Sequence, residues 1–154
     1  MNIDELLLQD SLALAERNID TIAIGLINDW AGIDRQVTQF ADSGQLAQAL
    51  DLVNHLIERC ESHSAGINEA IYYLSGTLAM SYMRKMLILK KKRQSEMLDA
   101  EATHALLEDY LATLDKILAL EPYMPQSSED LRQWTGKVLT LSRSTRDEIR
   151  SYRQ

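Results

Sequence analysis

Cysteine is almost absent from this chain, and that scarcity already excludes something. With Cys60 alone among 154 residues, no disulfide can form within the chain, and the pattern fits a reducing cytoplasm. Proline is nearly as rare. Pro122 and Pro125 are the only two and lie three positions apart, so most of the chain has no strong helix breaker. The six glycines are scattered, and no glycine-rich loop is formed that would cradle a phosphate. No Gly-x-Ser-x-Gly elbow surrounds a serine, and Cys60 has no Cys-His-Asn context. The opening MNIDELLLQD lacks the basic stretch and small-residue cleavage site of a secretory leader. Basic charge is also in deficit. The net charge of −7 disfavours broad binding to nucleic acid or to an anionic membrane. Twelve acidic and four basic side chains fall in residues 1–84, while the remainder is nearly balanced.

What is present is helical periodicity. The stretch AIYYLSGTLAMSYMRKMLIL, Ala70 to Leu89, has no charge before Arg84 and is apolar nearly all round at a helical period. Such a helix is covered by neighbours or spans a bilayer. Arg84 and Lys85 inside it, with Ser75, Thr77 and Ser81, argue against a membrane. The expectation is an all-α bundle of five or six helices, one domain over residues 1–154, wrapped around a central helix at about 65–93.

The other helices are marked by their ends and their apolar spacing. Residues 4–17 form the first, started by Asn2 or Asp4, with Asn18 as a break or a point of continuation. Ile19, Ile22, Leu26, Trp30, Ile33, Val37 and Phe40 recur at steps of three and four up to Asp42, and Gly44 takes the left-handed position that ends that helix. Leu46 to Glu61 is the third, with Ser64 as N-cap of the central helix. Asp99 caps a fifth helix that Pro122 stops. Ser127 and Asp130 form a capping box before the last one, whose apolar face includes Leu131, Trp134, Val138 and Leu141. Its tail, 143–154, is polar and expected to fray.

Within this frame SGQLAQALDLVNHLIE resembles the second helix of a tetratricopeptide repeat. Gly44 and Ala49 stand in its small-residue pattern, and Phe40 stands at a first-helix aromatic position. EDYLATLDKILALEP is similar to the family's closing helix, Leu114 and Pro122 being in register, although bulky Tyr110 and Ile117 replace small residues. The resemblance implies helical hairpins and a groove for a protein or peptide. Size, helicity and acidity are also those of small export chaperones of flagellin and type III secretion.

Candidate chemistry is sparse. Glu101-Ala-Thr-His104 has the Glu-x-x-His spacing of di-iron carboxylate bundles, but it occurs once where such sites need it twice, so no metal or other cofactor is expected. Arg59-Cys-Glu-Ser-His63 resembles the Arg-x4-6-His signature of the HEPN ribonucleases, with three residues intervening. It supplies the alternative reading of a nuclease or nucleic-acid-binding protein. Cys60 continues an apolar face and is expected in the core. Lys90, Lys91, Lys92 and Arg93 form a basic patch at a helix end, where the dipole favours them. Arg143, Arg146, Arg150 and Arg153 step along the last helix as a basic ridge, able to meet the acidic first half of a second copy.

The favoured reading is a non-enzymatic protein-binding module: an adaptor, a secretion-type chaperone or a regulator. Its partner would be another protein or peptide, and the chain a homo-oligomer, with self-assembly alone as a further alternative. Binding residues are expected at Leu6, Leu7 and Leu8, three consecutive apolar positions on an N-terminal arm (1–17). Met80, Tyr82 and Met83 are expected where the central helix opens a groove.

Overall fold

Asn2 opens the first helix by accepting the Glu5 N–H on its side chain, at 2.9 Å. From there the computed structural model describes residues 2–152. Among them are six α-helices: α1 (Ile3–Arg17), α2 (Thr21–Asp42), α3 (Leu46–Gly66), α4 (Ala70–Ser95), α5 (Ala100–Ala119) and α6 (Glu129–Tyr152). A single 3-10 turn, Glu121–Tyr123, follows α5. No strand occurs among the described residues. The fold is an all-α bundle.

The helix ends follow local chemistry. Asn18 breaks the chain between α1 and α2, and the next helix starts only after Asp20, whose Oδ1 accepts the Ala23 N–H at 3.0 Å. This corrects the expected apolar face of α2. Ile19 and Ile22 do not join the core; they are 82% and 63% exposed. Ile19 belongs to the turn, at φ +53°, a left-handed conformation that a β-branched side chain rarely adopts. Gly44 sits at φ +79° after α2, the left-handed residue its position requires.

Two expected caps fall elsewhere. Ser64 does not cap the central helix. Its hydroxyl turns back to the Cys60 carbonyl at 2.9 Å, a bond the interior of a helix permits. Consequently α3 runs on to Gly66 and the break falls at residues 67–69. At the start of α6 it is Ser128, not Ser127, that accepts the Leu131 N–H, at 3.2 Å. The Ser127 hydroxyl instead donates to Asp10 of α1.

The central element is α4, 26 residues long and therefore about 39 Å from end to end. It packs against α1, α2, α3, α5 and the 3-10 turn, while α6 lies over α5 and α1. From Tyr73 to Tyr82 every residue is buried. Close approach is possible because Gly76 has no side chain: a Cβ there would meet Leu7 Cδ2 at 2.8 Å and Pro125 Cγ at 3.0 Å. The polar groups of this segment are all paired. Ser75 donates to the Tyr123 carbonyl at 2.6 Å, and Trp30 Nε1–H donates to Ser81 Oγ at 3.0 Å. Ser81 passes the chain on to the Thr77 carbonyl at 2.8 Å.

Charge pairs fix the helix directions. Lys85 pairs with Asp109 at 3.0 Å, and Lys116 lies 5.9 Å from the Tyr82 ring centre, so α5 runs antiparallel to α4. Arg143 pairs with Glu121, and Arg150 with Asp115 at 3.5 Å, so α6 runs antiparallel to α5. Thus α4 and α6 are parallel, with α5 between them. The tail expected to fray is helical through Tyr152, pinned by those arginines.

Candidate functional site: a groove between α4, α5 and α6

Because α6 rests on α5 rather than on α4, a groove of about 480 Å³ remains above the first half of α5. The α4 wall is a single helical stripe, Met83, Met86, Leu87, Lys90 and Arg93, spaced so that all five share one face. Leu106, Leu107 and Tyr110 of α5 form the floor. Leu141, Thr145, Glu148 and Ile149 of α6 make the facing wall. Apart from the cationic end and Glu148, the lining is almost wholly apolar. Burial pushes the Tyr110 phenol upward, as expected of a hydroxyl beside a poorly hydrated surface.

Two large side chains stand out of this groove into water. Leu87 on the α4 lip is 52% exposed and Leu141 on the α6 lip 56%. The periodicity of α6 assigns Leu141 to its core face. The side chain is instead turned outward, because α6 packs mainly on α5 and α1 and leaves Leu141 56% exposed.

The basic run at the end of α4 divides. Lys91 pairs with Asp42 at 3.5 Å and Lys92 with Glu96 at 3.0 Å. Lys90 and Arg93 line the groove, and neither has an ion-pair partner among the described residues.

Of the six expected binding residues, Met83 reaches the groove. Met80 is buried in a small cluster with Leu7, Trp30, Leu56 and Leu131. Tyr82 is buried too, its hydroxyl donating to Glu61 at 3.2 Å. The physical reason is angular: Met80 and Tyr82 project from α4 toward α1–α3 and toward Glu61 of α3, away from the open side. Leu7 is fully buried beside Gly76, while Leu6 and Leu8 are half-buried against the same small cluster. The N-terminal segment is therefore a packed helix of the bundle rather than a free arm. Leu106, Leu107, Tyr110 and Ile149 complete the groove without any signal in the sequence that distinguishes them. Their apolar periodicity is identical to that of a core face.

The other singled-out groups are held elsewhere. His63 Nε2 lies 2.7 Å from Asp20 Oδ2, and the Tyr73 hydroxyl donates to the same oxygen at 2.6 Å. Burial opposes ionisation of Asp20, but the bonds from Tyr73, the Ala23 N–H and His63 outweigh it and hold the carboxyl below its usual range. The cluster ties the α1–α2 turn to the end of α3 and the start of α4. Arg59 points away from it, to Asp29 at 3.8 Å, so Arg59 and His63 do not converge on one site. Burial pushes the Cys60 thiol up to about 11, leaving it protonated in the core. Glu101 is exposed on the first turn of α5, and His104, on the same turn, faces Glu108 at 4.0 Å. Among the described residues no set of three acidic, histidine or cysteine side chains is grouped to hold a metal.

The arginine ridge of α6 is spent inside the molecule: Arg143 on Glu121, Arg146 and Arg150 on Asp115. Arg153 lies outside the described residues. No helix among the described residues is long and apolar enough to cross a membrane.

Comparison with family models, with curated proteins and with solved structures finds no match to this chain. The likeness to tetratricopeptide repeats stays a resemblance of α3 and α5.

Proposed function

We propose that this chain is a non-enzymatic protein-binding module that receives a partner helix in the groove between α4, α5 and α6. The observation that carries this reading is the pair of exposed leucines, Leu87 and Leu141, on opposite lips of an apolar groove. Leaving both in water forfeits burial free energy on the order of 1 kcal/mol for each half-exposed side chain, and a partner that covers them recovers it. The groups with chemical potential elsewhere are occupied: His63 and Tyr73 by Asp20, and Cys60 by the core. An adaptor, chaperone or regulator role follows, in a reducing compartment such as the cytoplasm, where a lone buried thiol is stable. The partner is a different protein, because the two devices expected for self-association, the N-terminal helix and the arginine ridge, are both engaged within the chain.

The test is co-purification from the source cell with the wild-type chain and with a Leu87→Lys, Leu141→Lys variant. Both positions are exposed, so the variant should keep its melting temperature. A stoichiometric protein retained by wild type and lost by the variant supports the reading. A partner held equally by both places the interface elsewhere and refutes it.

A further inference from the structure

We infer that the partner helix is acidic beside its apolar stripe, and that Lys90 and Arg93 read that charge. The inference rests on the groove being a helix-binding site and adds the chemistry of its occupant.

The dimensions suit a helix. From Met83 to Arg93 the α4 wall rises about 15 Å, close to three turns, which is the reach of an i, i+3, i+4, i+7 anchor set. The lips require breadth. An α-helix is about 10 Å across with its side chains, far broader than an acyl chain, and each lip carries an exposed leucine for it to meet.

Charge then selects among helices. Four cations sit together at the end of α4; Asp42 and Glu96 neutralise two, while the two facing the groove have no ion-pair partner among the described residues. In a chain of net charge −7, with carboxylates paired to Lys85, Lys91 and Lys92 on the same helix, two adjacent unpaired cations leave a local positive rim. Among the described residues Glu148 on the α6 wall is the only carboxylate in the lining, so the positive field is concentrated on the α4 side. A carboxylate one turn from the partner's apolar anchors would meet Lys90 or Arg93 at the partly desolvated edge, where such pairs act on specificity and association rate.

A second copy of the chain does not meet the requirement. Its exposed large apolar residues are Ile19, Ile22, Ile67, Tyr72, Leu87, Met97 and Leu141 among the described residues. No helix carries two of them within two turns, so none presents an apolar stripe.

The experiment is a display selection on the full chain. The library holds helical peptides with apolar residues at i, i+3, i+4 and i+7 and flanking positions drawn evenly from Glu, Lys, Gln and Ser. Selected peptides should be enriched in Glu at the flanks. The Lys90→Glu, Arg93→Glu variant should bind them about tenfold or more weakly and should itself select Lys-bearing peptides. Winners with no acidic bias, or affinity unchanged in that variant, overturn the inference. If those winners are still lost in Leu87→Lys, Leu141→Lys, the groove reading survives it. Winners indifferent to both variants, or no winners at all, overturn the two together. Laurate binding more tightly than any selected peptide, or a concentration-dependent dimer abolished by the lip variant, likewise replaces the acidic helix with another occupant.

Discussion

The two halves of α4 are one continuous helix and yet occupy different environments. From Tyr73 to Tyr82 all faces are covered, by α1, α2, α3, the 3-10 turn and Pro125. From Met83 onward α2 and α5 still hold the helix, through Asp34, Asp42 and Asp109, but the stripe through Leu87 to Arg93 looks into the groove. Side-chain chemistry differs less than this contrast suggests, since Met80 is core and Met83 is wall. The difference comes from α6, which is held over α5 by Arg143, Arg146 and Arg150 and so never closes on α4. The first half of α4 is buried on every face, whereas the second half buries Met86, Ile88 and Leu89 and leaves one stripe facing the groove.

The largest expected effect tests that contrast directly. Leu78→Ala, in the covered half, should cost about 2–5 kcal/mol in urea unfolding, whereas Met83→Ala, half-buried on the groove wall, should cost about 1–2 kcal/mol. Equal losses would mean that the groove is closed in solution. Next comes Ser81→Ala, which leaves the buried Trp30 N–H without its acceptor. A loss of about 1–3 kcal/mol is expected, and Ser81→Cys should restore little of it because sulfur accepts weakly.

Asp20→Asn should remove about 1–2 kcal/mol at neutral pH by weakening bonds to a buried, charged acceptor. It should also change the acid limb. The folded-state pKa of Asp20 lies below the unfolded value of 3.8, so its contribution is complete above that value and is lost as pH falls through the folded pKa. The wild type should therefore lose more stability than the variant below about pH 4. Parallel stability–pH curves would show that Asp20 carries no such linkage.

Gly76→Ala sharpens the packing side of the comparison. Helix propensity favours alanine by roughly 1 kcal/mol, but the new methyl would press on Leu7 and Pro125. Overpacking of about 1–3 kcal/mol should leave the variant net destabilised by about 1 kcal/mol. A rise in melting temperature would mean that the Pro125 turn yields. The smallest effect belongs to the lip: Leu87→Ser should change stability by no more than about 0.5 kcal/mol while weakening partner binding measurably. A large stability loss would place Leu87 in the core.

Much of the architecture was legible because it rests on patterns shorter than two turns. Asn2, Asp99 and Gly44 were readable as start and stop signals because capping is chemistry between near neighbours. The Ser64 and Ser127 assignments failed because each hydroxyl had a competing partner, the Cys60 carbonyl in one case and Asp10 in the other. Asp10 is distant in sequence and could not be anticipated. Met83 was legible as a groove residue from the methionine stripe, whereas Lys90 and Arg93 were legible as a basic run at a helix end and not as part of a groove. Leu106, Leu107 and Ile149 were not legible as groove residues, because an apolar residue at helical spacing reads as core whether or not a neighbour covers it.

Helicity, most helix limits and the central place of α4 were settled by the order of amino acids alone. Those properties follow from local hydrogen bonding, proline scarcity and the width of an apolar stripe. Packing between helices chose which leucines face water and which side of α4 stays open. These depend on how α6 is seated against α5 by charge pairs between residues 22 to 35 positions apart, and no period in the sequence encodes that seating.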